Sequence, residues 1–169
     1  MNKDDNIRSA VEKYGDMLYR ICLVMLKSTA DAEDAVQDTF MKLFTNSPGV
    51  SGEEHKKAWL IRVATNRCRD MLRLRGRTAP LDDEIINTFA ADEEDLHLFE
   101  LLTELPEKIR LVLTLHYIEG YKVDEIAKMI GKSPSAVKMR LSKGRRLLDE
   151  KYRKEFMNNE YVETKALGR

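Results

Sequence analysis

The chain has 169 residues, enough for one domain or two small ones, and its 29 Lys and Arg balance 29 Asp and Glu to a formal net charge of zero. Hydrophobic residues at 43% and charged residues at 34% suit a helical protein with a Leu, Ile, Val and Met core, and the zero balance excludes a uniformly basic nucleic-acid binder. MNKDDNIRSA lacks the apolar centre of a secretory signal and no apolar run approaches the roughly 20 residues of a membrane span, so a cytoplasmic protein without membrane insertion is expected.

In chain order, Ile7, Val11, Tyr14, Leu18, Ile21, Cys22 and Met25 mark a long amphipathic helix. Ser28 or Thr29 caps a second helix, which points Ala32, Val36, Phe40, Leu43 and Phe44 inward and Glu33, Asp34, Gln37 and Asp38 outward. Residues 46–52, NSPGVSG, form a loop on composition. A third helix over about 53–74 buries Leu60, Ala64, Cys68, Met71 and Leu72. Trp59 near its start is the only tryptophan and has two readings, a core anchor or a wedge that stacks on a base.

Charge is segregated along the chain. Arg62, Arg67, Arg69, Arg73, Arg75 and Arg77 stand against Asp70 alone, and then Asp82, Asp83, Glu84, Asp92, Glu93, Glu94 and Asp95 follow with no cation among them. This acidic stretch reads as a linker, with room for a short helix over 78–91. It is either a plain tether or a screen for the basic faces.

Helical periodicity resumes at Leu96, Phe99, Leu101 and Leu102, and a further helix after Pro106 runs through Ile109, Val112, Leu113 and Leu115 to Gly120. KVDEIAKMIGKSPSAVKMRLSKGRRLL, residues 122–148, then reads as a helix-turn-helix. Gly131 supplies a left-handed stop, Ser133 caps the second helix and Pro134 takes its first position. In that helix Val137, Leu141, Gly144 and Leu148 face a core, while Lys138, Ser142 and Arg145 lie on another face with Met139, Lys143 and Arg146 one step around. Arg and Lys neutralise phosphates and donate to guanine O6 and N7, which gives such a face the chemistry of a major-groove reader. Gly144 costs about 1 kcal/mol relative to Ala inside a helix, and so marks a close approach or a bend. Residues 157–169 read as a frayed tail.

Cys22 and Cys68 sit in apolar patterns without CxxC or ligand spacing, as buried free thiols do; a redox role requires that they meet in space. No nucleophile–base set, metal cluster or phosphate loop is present, so neither an enzyme nor a cofactor or metal is expected.

Three blocks in order resemble the extracytoplasmic-function sigma factors of the sigma-70 family. DAEDAVQDTFMKLF (31–44) resembles the helix that binds core RNA polymerase. AWLIRVATNRCRDMLRLRGR (58–77) resembles the segment that melts the promoter and reads its minus-ten element. Residues 101–148 resemble the domain that reads the minus-thirty-five element. The resemblance implies an all-α protein of two small helical domains, a sigma-2-like bundle at 1–77 and a sigma-4-like helix-turn-helix domain at 96–155. An acidic linker at 78–95 joins them, which the resemblance would also allow to lie in or near the polymerase's RNA channel, and a tail at 156–169 follows.

It also implies partners and site residues. Asp31, Glu33, Asp34, Gln37, Asp38, Phe40 and Phe44 would meet the coiled coil of the polymerase's largest subunit, with the flap as a second polymerase contact. Arg62, Asn66, Arg67, Arg69, Asp70 and Arg73 would meet minus-ten DNA, with Asn66 and the 46–52 loop capturing a flipped base. Ser133, Ser135, Lys138, Met139, Arg140, Ser142, Lys143 and Arg145 would meet minus-thirty-five DNA, and Arg110 and His116 are either further backbone contacts or exposed helix residues. Ser135-Ala136 stands where the family often has Gly-Thr, Met139 where a small polar residue is common and Gly144 where Ala is common, so promoter preference departs from the usual pattern. The family usually has an anti-sigma factor, which would occlude these faces and in some cases hold the protein at the membrane. A stand-alone helix-turn-helix regulator is the alternative; it explains residues 101–148 but neither preceding block, and the chain after Tyr152 offers no dimer seam.

Overall fold

The computed structural model describes residues 3–46, 49, 52–75, 82–89 and 92–167, with the backbone alone for residues 3, 88, 89 and 160–167. Among these residues there is no strand. Three long helices, α1 (Lys3–Leu26), α2 (Thr29–Thr45) and α3 (Glu53–Arg75), pack on one another as an N-terminal bundle. Its centre is the fully buried set Leu18, Ile21, Met25, Leu60 and Ile61. Val11, expected inside, is exposed.

Lys27 closes α1 in the left-handed region, at φ 57°, with its N–H on the Leu23 carbonyl at 2.9 Å. Ser28 caps α2 by accepting from the Asp31 N–H at 3.3 Å.

The acidic stretch carries one short helix, α4 (Asp83–Phe89), anchored by fully buried Ile85. Asp82 accepts the Thr29 N–H at 3.2 Å, and its carboxylate and that of Glu84 lie 3.0 and 2.8 Å from the Thr29 hydroxyl. The linker is therefore stapled to the start of α2 at this point. Residues 76–81, 90 and 91 of the same stretch, like 47, 48, 50 and 51 of the expected base-capturing loop, lie outside the described residues.

The C-terminal half comprises α5 (Glu93–Thr103), α6 (Glu107–Leu113), α7 (Val123–Ile130) and α8 (Pro134–Leu167), with a π-helical turn at Thr114–Ile118 extending α6. Gly131 adopts φ 65° and accounts for the sharp stop before α8. Ser133 accepts from the Ala136 N–H at 3.1 Å. Gly144 marks a close approach: a Cβ there would lie 2.8 Å from both Ile109 Cγ2 and Leu113 Cδ1 of α6.

The frayed tail is corrected, because α8 continues to Leu167. After Gly144 no Gly or Pro interrupts the helix before Gly168, and Arg153–Asp149 at 3.1 Å supports it one turn apart. Lys151–Glu104 at 2.7 Å and His97–Glu155 at 2.8 Å tie it back to the end and the face of α5.

The two halves lie against each other. Arg20 of α1 grips Glu119 through Nε at 2.7 Å and Nη2 at 3.0 Å, and Arg69 of α3 pairs with Glu107 of α6. Tyr121 completes the seam: the Lys57 ammonium sits 4.6 Å from its ring centre and its hydroxyl reaches Met17 Sδ at 3.1 Å.

Candidate nucleic-acid and polymerase interfaces

Helical spacing on α2 leaves Glu33, Asp34 and Gln37 exposed on one side. The other residues of the expected polymerase-facing set divide. Asp31 is buried and paired with Arg75; Phe40 is buried in the core; Asp38 is half-buried and accepts from Arg67 Nε at 2.6 Å. Phe44 stays partly exposed beside Met41, which is 59% exposed. With Val11 and Gly15 of α1 they border an apolar groove of about 1070 Å³ between α1 and α2. The contribution of α1 escaped the sequence reading, although an exposed Met41 one turn after Gln37 was a legible signal.

The basic block of α3 also splits. Arg62, Asn66, Asp70 and Arg73 are exposed along one helix face, and Arg69 beside them is half-buried. Asn66 Oδ1 accepts from Arg69 Nη1 at 3.1 Å, and Arg73 pairs with Asp70. These groups border a cleft of about 500 Å³ whose far wall is Glu107 and Lys108. Arg67 is turned away from that face toward α2 by its bond to Asp38. Trp59 is half-buried and packs on the core, which agrees with an anchor rather than a wedge.

On α8, Ser135, Lys138, Met139, Ser142, Lys143 and Arg145 are exposed together, and Arg140 is half-buried. Met139, Arg140, Ser142, Lys143 and Arg146 line a shallow concavity of about 340 Å³. Among the described residues Lys138 and Lys143 have no ion-pair partner, so both charges are available to phosphate. Arg145 is oriented by Tyr117, whose hydroxyl accepts from its Nη1 at 3.1 Å. Tyr117 was absent from the expected set, and Arg146, read from the sequence as lying one step around that face, lines the concavity as well.

Two further expectations resolve differently. Arg110 is neither exposed nor at a DNA face: it is buried, donates from Nη1 to the Thr103 carbonyl at 2.8 Å, and burial lowers its pKa. His116 is half-buried with Nδ1 2.8 Å from the Tyr121 carbonyl oxygen. The two cysteines do meet. Cys22 and Cys68 are both buried in the core, and the neighbouring Cys22 thiol, then burial, raise the Cys68 pKa, which makes its thiol a poor nucleophile.

A basic, Asn-bearing face on one bundle and a helix-turn-helix with a basic second helix on another match two family descriptions in order. Sigma-70 region 2 matches residues 10–78, and Sigma-70, region 4 matches residues 97–148. The chain is 30% identical over 141 residues to the RNA polymerase sigma factor SigV of Bacillus subtilis, covering 81% of this chain and 85% of that protein. The chain belongs to the sigma-70 family, in its extracytoplasmic-function branch.

This sigma factor is also 29% identical to SigW of Bacillus subtilis, over 88% of its own length and 90% of the other's. Its fold is that of CnrH, solved in complex with the cytosolic domain of CnrY, with a TM-score of 0.68, 26% identity and 87% of each chain covered. A sigma factor binds core RNA polymerase, directs it to promoters and assists their melting. Among the described residues no helix is long and apolar enough to cross a membrane.

Proposed function

We propose that the two bundles divide promoter recognition between them, with residues 1–77 binding core polymerase and opening the minus-ten region and residues 96–155 reading the minus-thirty-five region. The observation that carries this reading is the pair of exposed polar faces: Arg62, Asn66 and Arg73 on α3, and Lys138, Met139, Ser142, Lys143 and Arg145 on α8. The first combines an amide suited to the edge of an unstacked base with guanidinium groups suited to phosphate or stacking. The second has the donors and the apolar side chain of a major-groove reader. Opening the duplex costs a few kcal/mol per extruded base, offset by pocket and phosphate contacts, so the chain itself performs no chemistry.

Glu33, Asp34 and Gln37, with the apolar groove beside Phe44, are read as the surface for the polymerase coiled coil, where charge sets register and encounter rate. The paired Asp31 and Asp38 act from within as supports for α3. Solved relatives of the same fold include a sigma factor bound to the anti-sigma factor NepR from Bartonella quintana, and a separate inhibitor of that kind is our reading for this cytoplasmic factor, membrane-held or free.

The closed seam between the halves has to part on a promoter. The two elements are separated by roughly 85 Å of duplex at about 3.4 Å per base pair. The 17 residues between α3 and α5 reach at most roughly 60 Å when extended, so the remaining distance falls to the two halves themselves, whose α3 alone, at 23 residues, is about 35 Å long.

Run-off transcription with purified core polymerase on a pool of native promoters tests the reading. Discrete new transcripts are expected, with Asn66→Ala impairing open-complex formation and Arg145→Ala impairing upstream recognition. Absence of transcripts together with absence of core binding would leave only the stand-alone regulator.

A further inference from the structure

Between the end of α1, the end of α3 and the start of α6 lies a second cleft, of about 760 Å³, which shares Leu72, Glu107 and Lys108 with the cleft beside the α3 face and is otherwise lined by residues that none of the faces above uses. Its wall carries Lys27, Arg75, Lys108, Arg110 and Lys151 against two carboxylates, Glu104 and Glu107. Both carboxylates are already engaged, Glu104 by Lys151 and Glu107 by Arg69, and Arg75 is paired with Asp31. Three cations are left over. Lys27 and Lys108 have no ion-pair partner among the described residues. Arg110, only 7% exposed, makes a single bond to a backbone carbonyl, and its Nε has no acceptor among the described residues.

Lys27 and Arg110 face each other across the seam between the two halves. The Lys27 pKa is lowered by burial first and by the Arg110 charge second, with Glu104 opposing. A half-buried ammonium near a buried guanidinium that keeps an unsatisfied N–H costs stability unless an anion neutralises them. The floor is apolar, with Met25, Leu26, Leu72, Leu105 and Pro106 below the cations, and the volume suits a small molecule rather than a lone ion.

We propose that this cleft binds a phosphate-bearing small molecule, its phosphates on Lys27, Lys108 and Arg110 and its remainder on the apolar floor. Lys27 belongs to the N-terminal bundle and Lys108 and Arg110 to the C-terminal half, so the ligand joins the two. It holds the factor closed and opposes the separation that promoter binding demands. That consequence rests on the proposed division of labour between the halves; the binding itself does not.

Calorimetric titration of the full chain with inorganic phosphate, pyrophosphate, ATP and GTP tests the site. Saturable binding at one site is expected, weakened at least tenfold in the double variant Lys27→Gln, Lys108→Gln. The same binding is expected to persist in Lys138→Gln, Lys143→Gln, which thins the helix-turn-helix face. Tenfold tighter binding of ATP or GTP than of the simple phosphates identifies a nucleotide; equal affinities identify free phosphate, and either upholds the site. No saturable binding at millimolar concentration, or binding lost only in the Lys138, Lys143 variant, overturns it. Run-off transcription by the same preparation separates a failure of the site from a failure of the sigma-factor roles.

Discussion

Arg69 on α3 and Glu107 at the first position of α6 form an ion pair that joins the two halves of the molecule through a residue of the proposed minus-ten face. Glu107 occupies Arg69 as a phosphate would, and the guanidinium also reaches Asn66 at 3.1 Å. The free factor thus presents its proposed minus-ten face partly covered by its own acidic side chain. Both partners are about one-third exposed or less, so the pair is worth at most about 1 kcal/mol, or roughly fivefold in an equilibrium. Glu107→Gln is expected to tighten binding of the free factor to single-stranded minus-ten DNA about three- to fivefold, read by fluorescence anisotropy at fixed salt. Unchanged or weaker binding would show that the pair does not screen the face.

Gly144 sets how closely α8 lies on α6. Ala is the better helix former by about 1 kcal/mol. Its Cβ, however, would stand 2.8 Å from Ile109 Cγ2 and Leu113 Cδ1, both on buried core residues with little room to move. Overpacking of this kind typically costs about 1–3 kcal/mol. Gly144→Ala is therefore expected to destabilise the chain by up to about 2 kcal/mol in urea denaturation, although Ala is the residue common in the family. A stabilised variant would mean that the two helices can separate without penalty.

Local rules made much of this architecture legible. Gly131, Ser133 and Pro134 announced the turn, and Val137, Leu141 and Gly144 the buried stripe of α8, because each depends on neighbours within one or two helical turns. What stayed hidden depends on residues far apart in sequence. Arg67 reads as one of six arginines in a basic block, yet it is bonded to Asp38 on another helix, away from the proposed DNA face. Asp31 looks like a surface acid until Arg75 is placed beside it, and Cys22 and Cys68 meet only when α1 packs on α3. The closed seam was invisible for the same reason: Arg20–Glu119 and Arg69–Glu107 connect residues with no shared periodicity.

A second cluster makes stability depend on pH at both extremes. Glu53 at the start of α3 accepts from Lys13 Nζ at 2.8 Å and from the Tyr14 hydroxyl, both on α1. The Lys13 and Tyr14 hydrogen bonds lower its pKa from the ordinary 4.5 to about 2. Its stabilising contribution is therefore fully present above pH 4.5 and is lost as pH falls toward 2. Burial, and then the hydrogen bond to Glu53, raise the Tyr14 pKa from 10.0 to about 12, so that contribution is complete below pH 10 and is lost as pH rises toward 12. Glu53 is half exposed, which keeps the acid limb shallow. Phenolate absorbance during alkaline titration should show one of the six tyrosines ionising near pH 12, and Tyr14→Phe should remove that step. A Tyr14→Phe titration that keeps the late step would assign it elsewhere.

Met139 gives the proposed reading helix an unusual probe. It is 73% exposed at the centre of the α8 face, flanked by Lys138, Arg140 and Lys143, where burial of an apolar side chain stabilises nothing in the folded chain. In the major groove the apolar feature that distinguishes one base from the rest is the thymine methyl. Contact with it would bury about one methyl group, worth roughly 0.8 kcal/mol or about fourfold in affinity. Replacing thymines with uracil one at a time in the minus-thirty-five element removes that methyl and leaves hydrogen bonding intact. With wild-type holoenzyme, promoter binding should fall about fourfold at one position only. With Met139→Ala the same replacement should have no effect, because the methyl has already lost its partner. Equal losses with both proteins would show that Met139 does not touch the methyl, and Arg145 and Lys143 would then be left to carry the specificity of that face.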